Sequence, residues 1–242
     1  MTLLEAIKER HSVRRYIDRP IEAEKVSVLR DAIAKINSTT GLNVQLVLEE
    51  PLAFASGVWK YGQFAGVRNY FVMAGPKGRE AEEAVGYHGE ALVLLAQTLG
   101  LRTCWVGLTY TKTPGAFTLR KGDTLHCVIS LGYGENDGVQ HPLRAAEEFY
   151  ETSAGTGTAK ATATAAAPGT AAAPPEWFLR GIEAARLAPT AINQQKFRFS
   201  LRGPRTVRAI PFFSMVGYTH IDLGIAKYHF ELAAGRENFD WD

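Results

Sequence analysis

Hydrophobic residues along the chain follow two spacings, and each spacing predicts one kind of secondary structure. Apolar residues that recur every three or four positions indicate helices, whereas short alternating or continuous apolar runs indicate strands. In the first part of the chain this pattern predicts helices over Leu3–Glu9, Ile21–Ile36 and Ala81–Leu99, and strands over Asn43–Glu49, Asn69–Ala74, Arg102–Val106 and Leu125–Leu131. In the last part it predicts a helix over Glu176–Leu187, strands over Phe197–Leu201 and Val207–Phe212, and a helix over Asp222–Ala234 with Gly235 as its C-cap.

One segment lacks this pattern. Residues 153–175, SAGTGTAKATATAAAPGTAAAPP, are almost entirely Ala, Thr, Gly and Pro, and Lys160 is their only charged residue. Such a composition cannot supply large side chains to a core, so it predicts a flexible linker that would span about 25 Å as a coil. The sequence therefore predicts two related units, residues 1–152 and residues 176–242, on either side of this linker.

Composition and charge narrow the class of protein. The chain has 242 residues, of which 46% are hydrophobic and 21% charged, as expected for a globular protein with a substantial core. Its formal net charge of +2 argues against nucleic-acid binding, and no apolar run has the length of a membrane span or a signal-peptide core. Cys104 and Cys127 lie in apolar runs without metal or redox spacing. We therefore expect a cytoplasmic protein with reduced, buried thiols and no metal, nucleic-acid or membrane partner.

The two predicted units share a repeated pattern. One series is Leu29, Arg30, Ala34, Thr40, Asn43 and Gln45, and it is matched without a gap by Leu179, Arg180, Ala184, Thr190, Asn193 and Gln195. In the later helices, the residues Gly86, Leu92, Leu94 and Ala96 correspond to Gly224, Phe230, Leu232 and Ala234. Leu and Ala repeat easily by chance, but Asn and Gln at fixed offsets do not. The pattern predicts an internal duplication.

Two segments that could carry chemistry occur only in the first unit. RHSVRRY, residues 10–16, brings together Arg10, Ser12 and Arg14, and two guanidinium groups with a hydroxyl suit a phosphate dianion. The alternative is a solvated basic helix end paired with nearby acidic residues. GLRTCWVG, residues 100–107, ends in Gly107, where a planar ligand could approach the backbone N–H. The alternative there is an ordinary helix-to-strand turn with a buried Trp105.

Four stretches taken together resemble the FMN-dependent nitroreductase family. They are LLEAIKERHSVRRY (residues 3–16), GLRTCWVG (100–107), ISLGYGE (129–135) and APTAINQQKF (188–197). In typical members the Pro-Ser/Thr…Asn-x-Gln run follows soon after Arg-x-Ser-x-Arg, and two subunits build two flavin sites across their interface. Here the better-preserved run lies in the last unit, which resembles the single-chain branch known as putative TM nitroreductases.

This resemblance implies a fold and an activity. The fold would be α+β and nitroreductase-like, with a central, mostly antiparallel sheet flanked by helices and two related halves that form a pseudo-dimer, monomeric as a single chain. The activity would be reduction of a small acceptor, a nitroaromatic or a quinone, by NADH or NADPH in a ping-pong reaction through N5 of one bound FMN. Other flavin reactions of the superfamily, reductive dehalogenation or flavin-consuming chemistry, remain alternatives, as does a flavin-binding protein without turnover.

The resemblance also implies which residues contact the cofactor. The phosphate would be held by Arg10, Ser12 and Arg14, with His11 beside them and Arg144 returning to it after the ISLGYGE stretch. The other half would reach the same flavin through Pro189, Thr190, Asn193 and Gln195. The flavin ring would lie against Trp105, Val106 and the backbone N–H of Gly107, with Gln63 at its pyrimidine edge. Because the reaction takes place on the flavin, no acid–base residue is required.

Overall fold

The computed structural model of the protein describes residues 1–55, 64–152 and 173–242. Its helices are α1 (Leu3–Glu9), α2 (Ala23–Thr40), α3 (Arg79–Thr98), α4 (Glu176–Ala185) and α5 (Thr219–Ala234). Its strands are β1 (Gln45–Val47), β2 (Asn69–Gly75), β3 (Arg102–Val106), β4 (Thr124–Gly132), β5 (Tyr150–Thr152), β6 (Phe197–Arg202), β7 (Thr206–Pro211) and β8 (Asp240–Trp241). All of the predicted helices and strands are present, whereas most of the predicted linker, residues 153–172, lies outside the described residues.

Local hydrogen bonds explain where the helices begin and end. Thr2 and Glu5 form a capping box at the start of α1, which satisfies two of the free N–H groups there. Helix α2 continues beyond its predicted end because the hydroxyl of Thr40 donates to the carbonyl of Ile36 inside the last turn. It stops at Gly41, whose left-handed backbone (φ 71°) a larger residue would adopt at a cost. Gly235 ends α5, as predicted.

The strands form two four-stranded sheets. The first has the order β1-β2-β4-β3 with antiparallel pairing throughout, and the second has the order β5-β6-β7-β8. In the second sheet β6 and β7 are antiparallel, while β5 and β8 pair in parallel with β6 and β7. The α+β class and the mostly antiparallel pairing are therefore confirmed, although the strands divide into two sheets where one central sheet was expected. The sequence pattern missed β5 and β8, which are only two or three residues long.

A single core runs through both predicted units. Its buried side chains include Leu29, Phe71 and Leu92 from the first part and Phe178 and Phe230 from the last. Strand β5 belongs to residues 1–152 in sequence, yet it pairs with β6 of the second sheet. Residues on the two sides of the predicted linker are therefore packed into one body.

Helices α3 and α5 pack closely against each other across the two units. A Cβ atom added to Gly86 would lie 2.0 Å from the carbonyl oxygen of Ile221, and one added to Gly224 would lie 2.0 Å from that of Glu83. Only glycine allows backbones to come so near to each other. The two contacts are equivalent, because Gly224 follows Gly86 and Ile221 follows Glu83 by the same 138 positions.

Two further expectations concern the cysteines and the membrane. Cys104 and Cys127 are both buried and unpaired, as predicted. Within the described ranges, no helix combines the length and the apolar character that crossing a bilayer requires.

Candidate functional site

The Arg-x-Ser-x-Arg motif follows α1 as an extended segment beside strand β3. Ser12 forms a parallel bridge with Thr103, and the N–H of Val13 donates to the carbonyl of Thr103 at 3.0 Å. Because side chains alternate along an extended chain, Arg10, Ser12 and Arg14 share one face. Burial raises the pKa of the Cys104 thiol, while Arg14, the Ser12 hydroxyl and Arg10 oppose that rise, so all three lie near this sulfur.

The two arginines of the motif have different surroundings. Arg14 is exposed, and its guanidinium neither hydrogen-bonds nor forms an ion pair within the described part of the chain. Arg10 is only 3% exposed, and its Nε lies 3.8 Å from Oε1 of Glu90, a fully buried carboxylate of α3. Burial lowers the pKa of Arg10, which the charge of Glu90 partly offsets. The motif therefore supplies one arginine from the surface and one from the interior.

Glu90 is bonded to groups other than Arg10. Its Oε1 contacts Nε2 of His229 on α5 at 2.9 Å, and its Oε2 accepts a hydrogen bond from the indole N–H of Trp105 at 2.9 Å. Burial alone would raise the pKa of this carboxyl, but the hydrogen bond and charge of His229, together with Arg10 and Trp105, hold it below its usual range. This network could not be predicted from the sequence, because Glu90 and His229 are 139 positions apart.

Several buried nitrogen atoms near the motif have no hydrogen-bond acceptor among the described residues. They are Nε of Arg10, Nδ1 of His11, Nε2 of His141 and Nε of Arg186. Burial and the charge of Arg10 both lower the pKa of His11 and of His141, which places the two rings near that guanidinium. Buried nitrogen atoms are normally hydrogen-bonded, and the N–H groups of Arg10 and Arg186 can only donate, so this cluster beside a basic motif fits an anion such as a phosphate group. His141 was missed in the sequence, where only Arg144 was considered after strand β4.

Arg144 lies next to the Asn-x-Gln run of the last unit, but it is already bonded. Its Nη2 donates to Oε2 of Glu148 at 2.6 Å, and its Nη1 lies 3.3 Å from the carbonyl oxygen of Gln195. The backbone N–H of Arg144 also donates to Oε1 of Gln195. The structure therefore places Arg144 and Gln195 in contact with each other, whereas the sequence predicted a flavin contact for each of them.

The amides of the run hold a backbone segment. The side-chain nitrogens of Asn193 and Gln195 both donate to the carbonyl oxygen of Pro142, at 3.0 and 2.9 Å. Gln195 is 2% exposed, and its Nε2 also donates to Oδ1 of Asn193. Thr190 joins this arrangement by accepting the N–H of Gln195 on its hydroxyl, while Pro189 is buried. The side-chain N–H groups of Asn193 and Gln195, which were expected to contact the flavin, are therefore bonded within the protein.

Asn43 and Gln45, in the earlier copy of the run, also hold a backbone carbonyl group. The side-chain nitrogens of Asn43 and Gln45 both donate to the carbonyl oxygen of Thr118, at 3.0 and 2.7 Å. The N–H of Thr118 returns a hydrogen bond to Oε1 of Gln45 at 3.0 Å. In both copies, two amides two positions apart clasp one backbone carbonyl of a distant loop. This shared arrangement explains on structural grounds why the pattern occurs twice.

The backbone of the later run is unusual. Ile192, Asn193 and Gln195 have positive φ values of 47°, 56° and 47°, a region that costs free energy in a residue with a side chain, above all a β-branched one. Asp222 of α5 holds this run by accepting the N–H of Ala191 at 3.0 Å and the amide of Gln194 at 2.6 Å. Burial raises the pKa of Asp222 to about 7. A strained segment held by a buried carboxylate is typical of functional sites.

The end of strand β3 is covered by a ring from the last unit. The Tyr218 hydroxyl donates to the carbonyl of Gly107 at 3.1 Å, and a Cβ atom on Gly107 would lie 2.7 Å from the Tyr218 ring. The Trp105 ring lies against Gly89 of α3, and Val106, the next residue along the strand, is buried on the opposite face of the sheet. Trp105 and Val106 thus belong to the packing on both sides of β3, while Gly107 allows the close approach of an aromatic ring.

Two expectations remain. Gln63 lies outside the described residues. Within residues 1–55, 64–152 and 173–242, no group of three His, Cys, Asp or Glu side chains is arranged to hold a metal ion.

Comparison with known proteins gives the family. The model of the family described as "Putative TM nitroreductase" matches residues 2–234. The chain belongs to this family. This membership confirms the resemblance carried by the four sequence stretches and places the chain among oxidoreductases of the nitroreductase kind. Among proteins of curated function, no sequence matches the chain.

One solved structure shows the same fold, and others are similar over part of the chain. A "putative nitroreductase" from Thermotoga maritima is 21% identical, with a TM-score of 0.63, over 98% of this chain and 85% of that chain. A "Putative NADH dehydrogenase/NAD(P)H nitroreductase" from Parabacteroides distasonis is 21% identical, with a TM-score of 0.49, over 62% of this chain and 96% of its own. A "putative nitroreductase in complex with fmn" from Desulfovibrio desulfuricans is 20% identical, with a TM-score of 0.47, over 62% of this chain and 95% of its own. The first of these establishes the nitroreductase fold.

Proposed function

We propose that the chain is an FMN-dependent oxidoreductase that uses NADH or NADPH to reduce a small acceptor, a nitroaromatic or a quinone, in a ping-pong reaction. The observation that carries this proposal is the cluster of buried nitrogen atoms on Arg10, His11 and His141 that have no hydrogen-bond partner among the described residues, in a member of the nitroreductase family. Relatives of similar fold are described as NAD(P)H nitroreductases and as an FMN complex. Bound FMN would supply the hydride transfer, and the chain would hold and orient it.

The phosphate end of the cofactor would lie at the Arg-x-Ser-x-Arg motif. Arg10 and Arg14 would supply guanidinium donors, Ser12 a hydroxyl and His11 a ring nitrogen. His141 would complete the clasp, since its Nε2 is buried without a partner in the described part of the chain, whereas the guanidinium of Arg144 already pairs with Glu148. Charge-assisted hydrogen bonds of this kind are among the strongest in proteins, so this end would supply much of the affinity.

The ring end of the cofactor would lie toward Gly107 and the strained run of the last unit. Pro189, Thr190, Asn193 and Gln195 would shape this end mainly through the clasp on Pro142, and the N–H of Gly107 would face the ring. Nearby, the loop before Tyr218 exposes Phe213 and Met215, which are 86% and 95% accessible. An apolar surface beside the site suits an aromatic acceptor. Gln63, if it contributes, would do so from outside the described residues.

The two units would form a pseudo-dimer with one active site. The reciprocal contacts of Gly86 and Gly224 and the two amide clasps support an internal duplication. The Arg-x-Ser-x-Arg motif occurs once, before the first unit's repeat, so one FMN per chain follows. We further propose that residues 153–175 link the two units and that the protein works as a cytoplasmic monomer.

Flavin stoichiometry and turnover test this function together. The purified protein, saturated with FMN and freed of excess, should release one equivalent of FMN per chain and oxidise NADH or NADPH with a nitrofuran or a quinone. Two equivalents would overturn the single-site proposal. Flavin bleaching without acceptor turnover would indicate a different flavin reaction, and failure to bind FMN would refute the assignment altogether.

A further inference from the structure

Arg10 is close to a carboxylate but is not hydrogen-bonded to it. Its Nε lies 3.8 Å from Oε1 of Glu90, beyond hydrogen-bond distance, and it has no other acceptor among the described residues. The oxygens of Glu90 are instead taken by Nε2 of His229 and by the Trp105 indole, each at 2.9 Å. A fully buried arginine and a fully buried glutamate would ordinarily form a direct pair. Here a third residue has taken the place of the arginine.

His229 occupies the oxygen of Glu90 that lies 3.8 Å from Nε of Arg10. Nδ1 of His229 lies 3.1 Å from the carbonyl oxygen of Ala184, which can only accept, and Nε2 lies 2.9 Å from Oε1 of Glu90. The Trp105 indole donates to the other oxygen, Oε2. Both oxygens of the carboxylate are therefore hydrogen-bonded to residues other than Arg10.

In this arrangement the charge of Arg10 is partly balanced, while its N–H groups are not bonded to Glu90. The nearby negative charge of Glu90 offsets part of the free energy of burying the guanidinium, since an unpaired buried charge is strongly unfavourable. The N–H groups of Arg10 are nevertheless not used by Glu90, so they can donate to an incoming anion. If Glu90 lost its bond to His229, its oxygen would turn to Arg10 and occupy those donors.

We propose that His229 is a positioning residue, which holds Glu90 and thereby keeps Arg10 free to bind the phosphate group of the flavin. This inference rests on the proposed FMN function. It also explains why the last unit is needed at the phosphate end of the site, since His229 lies on α5 while Arg10 and Glu90 belong to the first unit. The position that corresponds to His229 in the first unit is Ala91. Helix α5 therefore carries a histidine where the equivalent position of α3 carries an alanine.

Two substitutions of His229 separate its two contacts. In His229→Gln the side-chain amide can replace Nε2 and donate to Glu90, whereas in His229→Asn the shorter amide can replace Nδ1 and reach only toward Ala184. The affinity for FMN and for riboflavin, which lacks the phosphate, is measured for each variant by quenching of flavin fluorescence. We expect His229→Gln to bind FMN within about threefold of the wild type. We expect His229→Asn to bind FMN about tenfold more weakly, the effect of one charge-assisted hydrogen bond.

Riboflavin and a second substitution make the test specific. Because the effect acts through the phosphate, riboflavin affinity should be unchanged in both variants. Adding Glu90→Gln to His229→Asn removes the carboxylate that captures Arg10, so FMN affinity should return to within about threefold of the wild type. An equal loss of riboflavin affinity, or a double variant weaker than His229→Asn, would overturn the proposal, because both indicate general damage to the packing.

Folding is followed by the thermal transition of each variant. If His229→Asn does not fold, Glu90→Gln alone gives the answer, since the neutral amide oxygen competes for Arg10 far less strongly than a carboxylate does. FMN affinity relative to riboflavin should then be retained or increased, and a tenfold fall would refute the role of His229. A wild-type protein that binds no FMN would remove the proposed function itself, which is a different result from any of these.

Discussion

Gly86 and Gly224 occupy equivalent places in a reciprocal contact between helices α3 and α5. Each lies against a backbone carbonyl of the opposite helix, Gly86 against Ile221 and Gly224 against Glu83. A Cβ atom added to either glycine would lie only 2.0 Å from that carbonyl oxygen. In an interface with twofold symmetry, every contact occurs twice, once between two residues and once between their counterparts. Here the same relationship occurs within one chain.

The first prediction concerns these glycines. Gly86→Ala or Gly224→Ala would force the two helix backbones apart, so we expect each to lower the free energy of unfolding by about 3 kcal/mol. The loss is measured by urea denaturation. Because the two changes open the same contact, the double variant should lose less than the sum of the single losses.

Gly89→Ala on the same helix is the matched control. Its new Cβ atom would meet the edge of the Trp105 side chain at 2.4 Å, and a side chain can move where a backbone cannot. We expect a smaller loss than at Gly86. Equal losses at the two positions would contradict the view that backbone contact makes Gly86 special.

The second prediction concerns the two amide clasps. Gln195→Leu removes the bonds of the buried amide to Pro142 and Arg144, and we expect a loss of about 2 kcal/mol in unfolding free energy. Hydrogen exchange should become faster at the N–H of Arg144 and stay unchanged at that of Thr118. Gln45→Leu should give the opposite result, because its amide holds Thr118. Unchanged exchange at Arg144 in Gln195→Leu would show that the clasp does not hold this loop.

The third prediction is a pH dependence caused by Asp222. Burial raises the pKa of this carboxyl from 3.8 to about 7, so the folded state favours the protonated form more than the unfolded state does. The free energy of unfolding should therefore fall as pH rises from about 4 to about 7, by up to roughly 4 kcal/mol from this one group.

Asp222→Asn should remove this dependence, because an amide does not ionise. Urea denaturation of both proteins at pH 5 and pH 8 measures it, with the difference between the proteins isolating Asp222 from other titrating groups. The wild type should lose more stability than the variant on going to pH 8. If both lose the same amount, Asp222 is ionised over the whole range and the pKa is not raised.

The fourth prediction separates two neighbouring arginines. Arg14 shares a face with Arg10 and Ser12 and its guanidinium has no described partner, so Arg14→Glu should weaken FMN binding by at least about tenfold. Arg15 points to the other side and pairs with Glu135 at 2.7 Å on the surface. Arg15→Glu makes the same change in net charge, yet it should alter FMN affinity by no more than about twofold. Equal effects of the two substitutions would indicate a general electrostatic influence instead of a phosphate contact.

Much of the local structure could be predicted from the sequence. Helix α1 and strand β3 have the predicted bounds, because apolar spacing and the capping pair Thr2 and Glu5 act within a few residues. The motif at residues 10–16 and the two Asn-x-Gln runs were also recognisable, since they depend on residue type at fixed short spacing. What these segments contact was not recognisable.

The sequence by itself determined the helices, all strands except β5 and β8, the correspondence of Gly86 with Gly224, and the family. The tertiary structure alone decided that both amide runs clasp a backbone carbonyl, at Thr118 and Pro142, because a carbonyl carries no sequence signature. It alone placed Glu90 between Arg10 and His229, and Asp222 under the strained run. The physical reason is that hydrogen bonds and burial depend on distances across the folded chain, whereas periodicity and capping depend on neighbours along it.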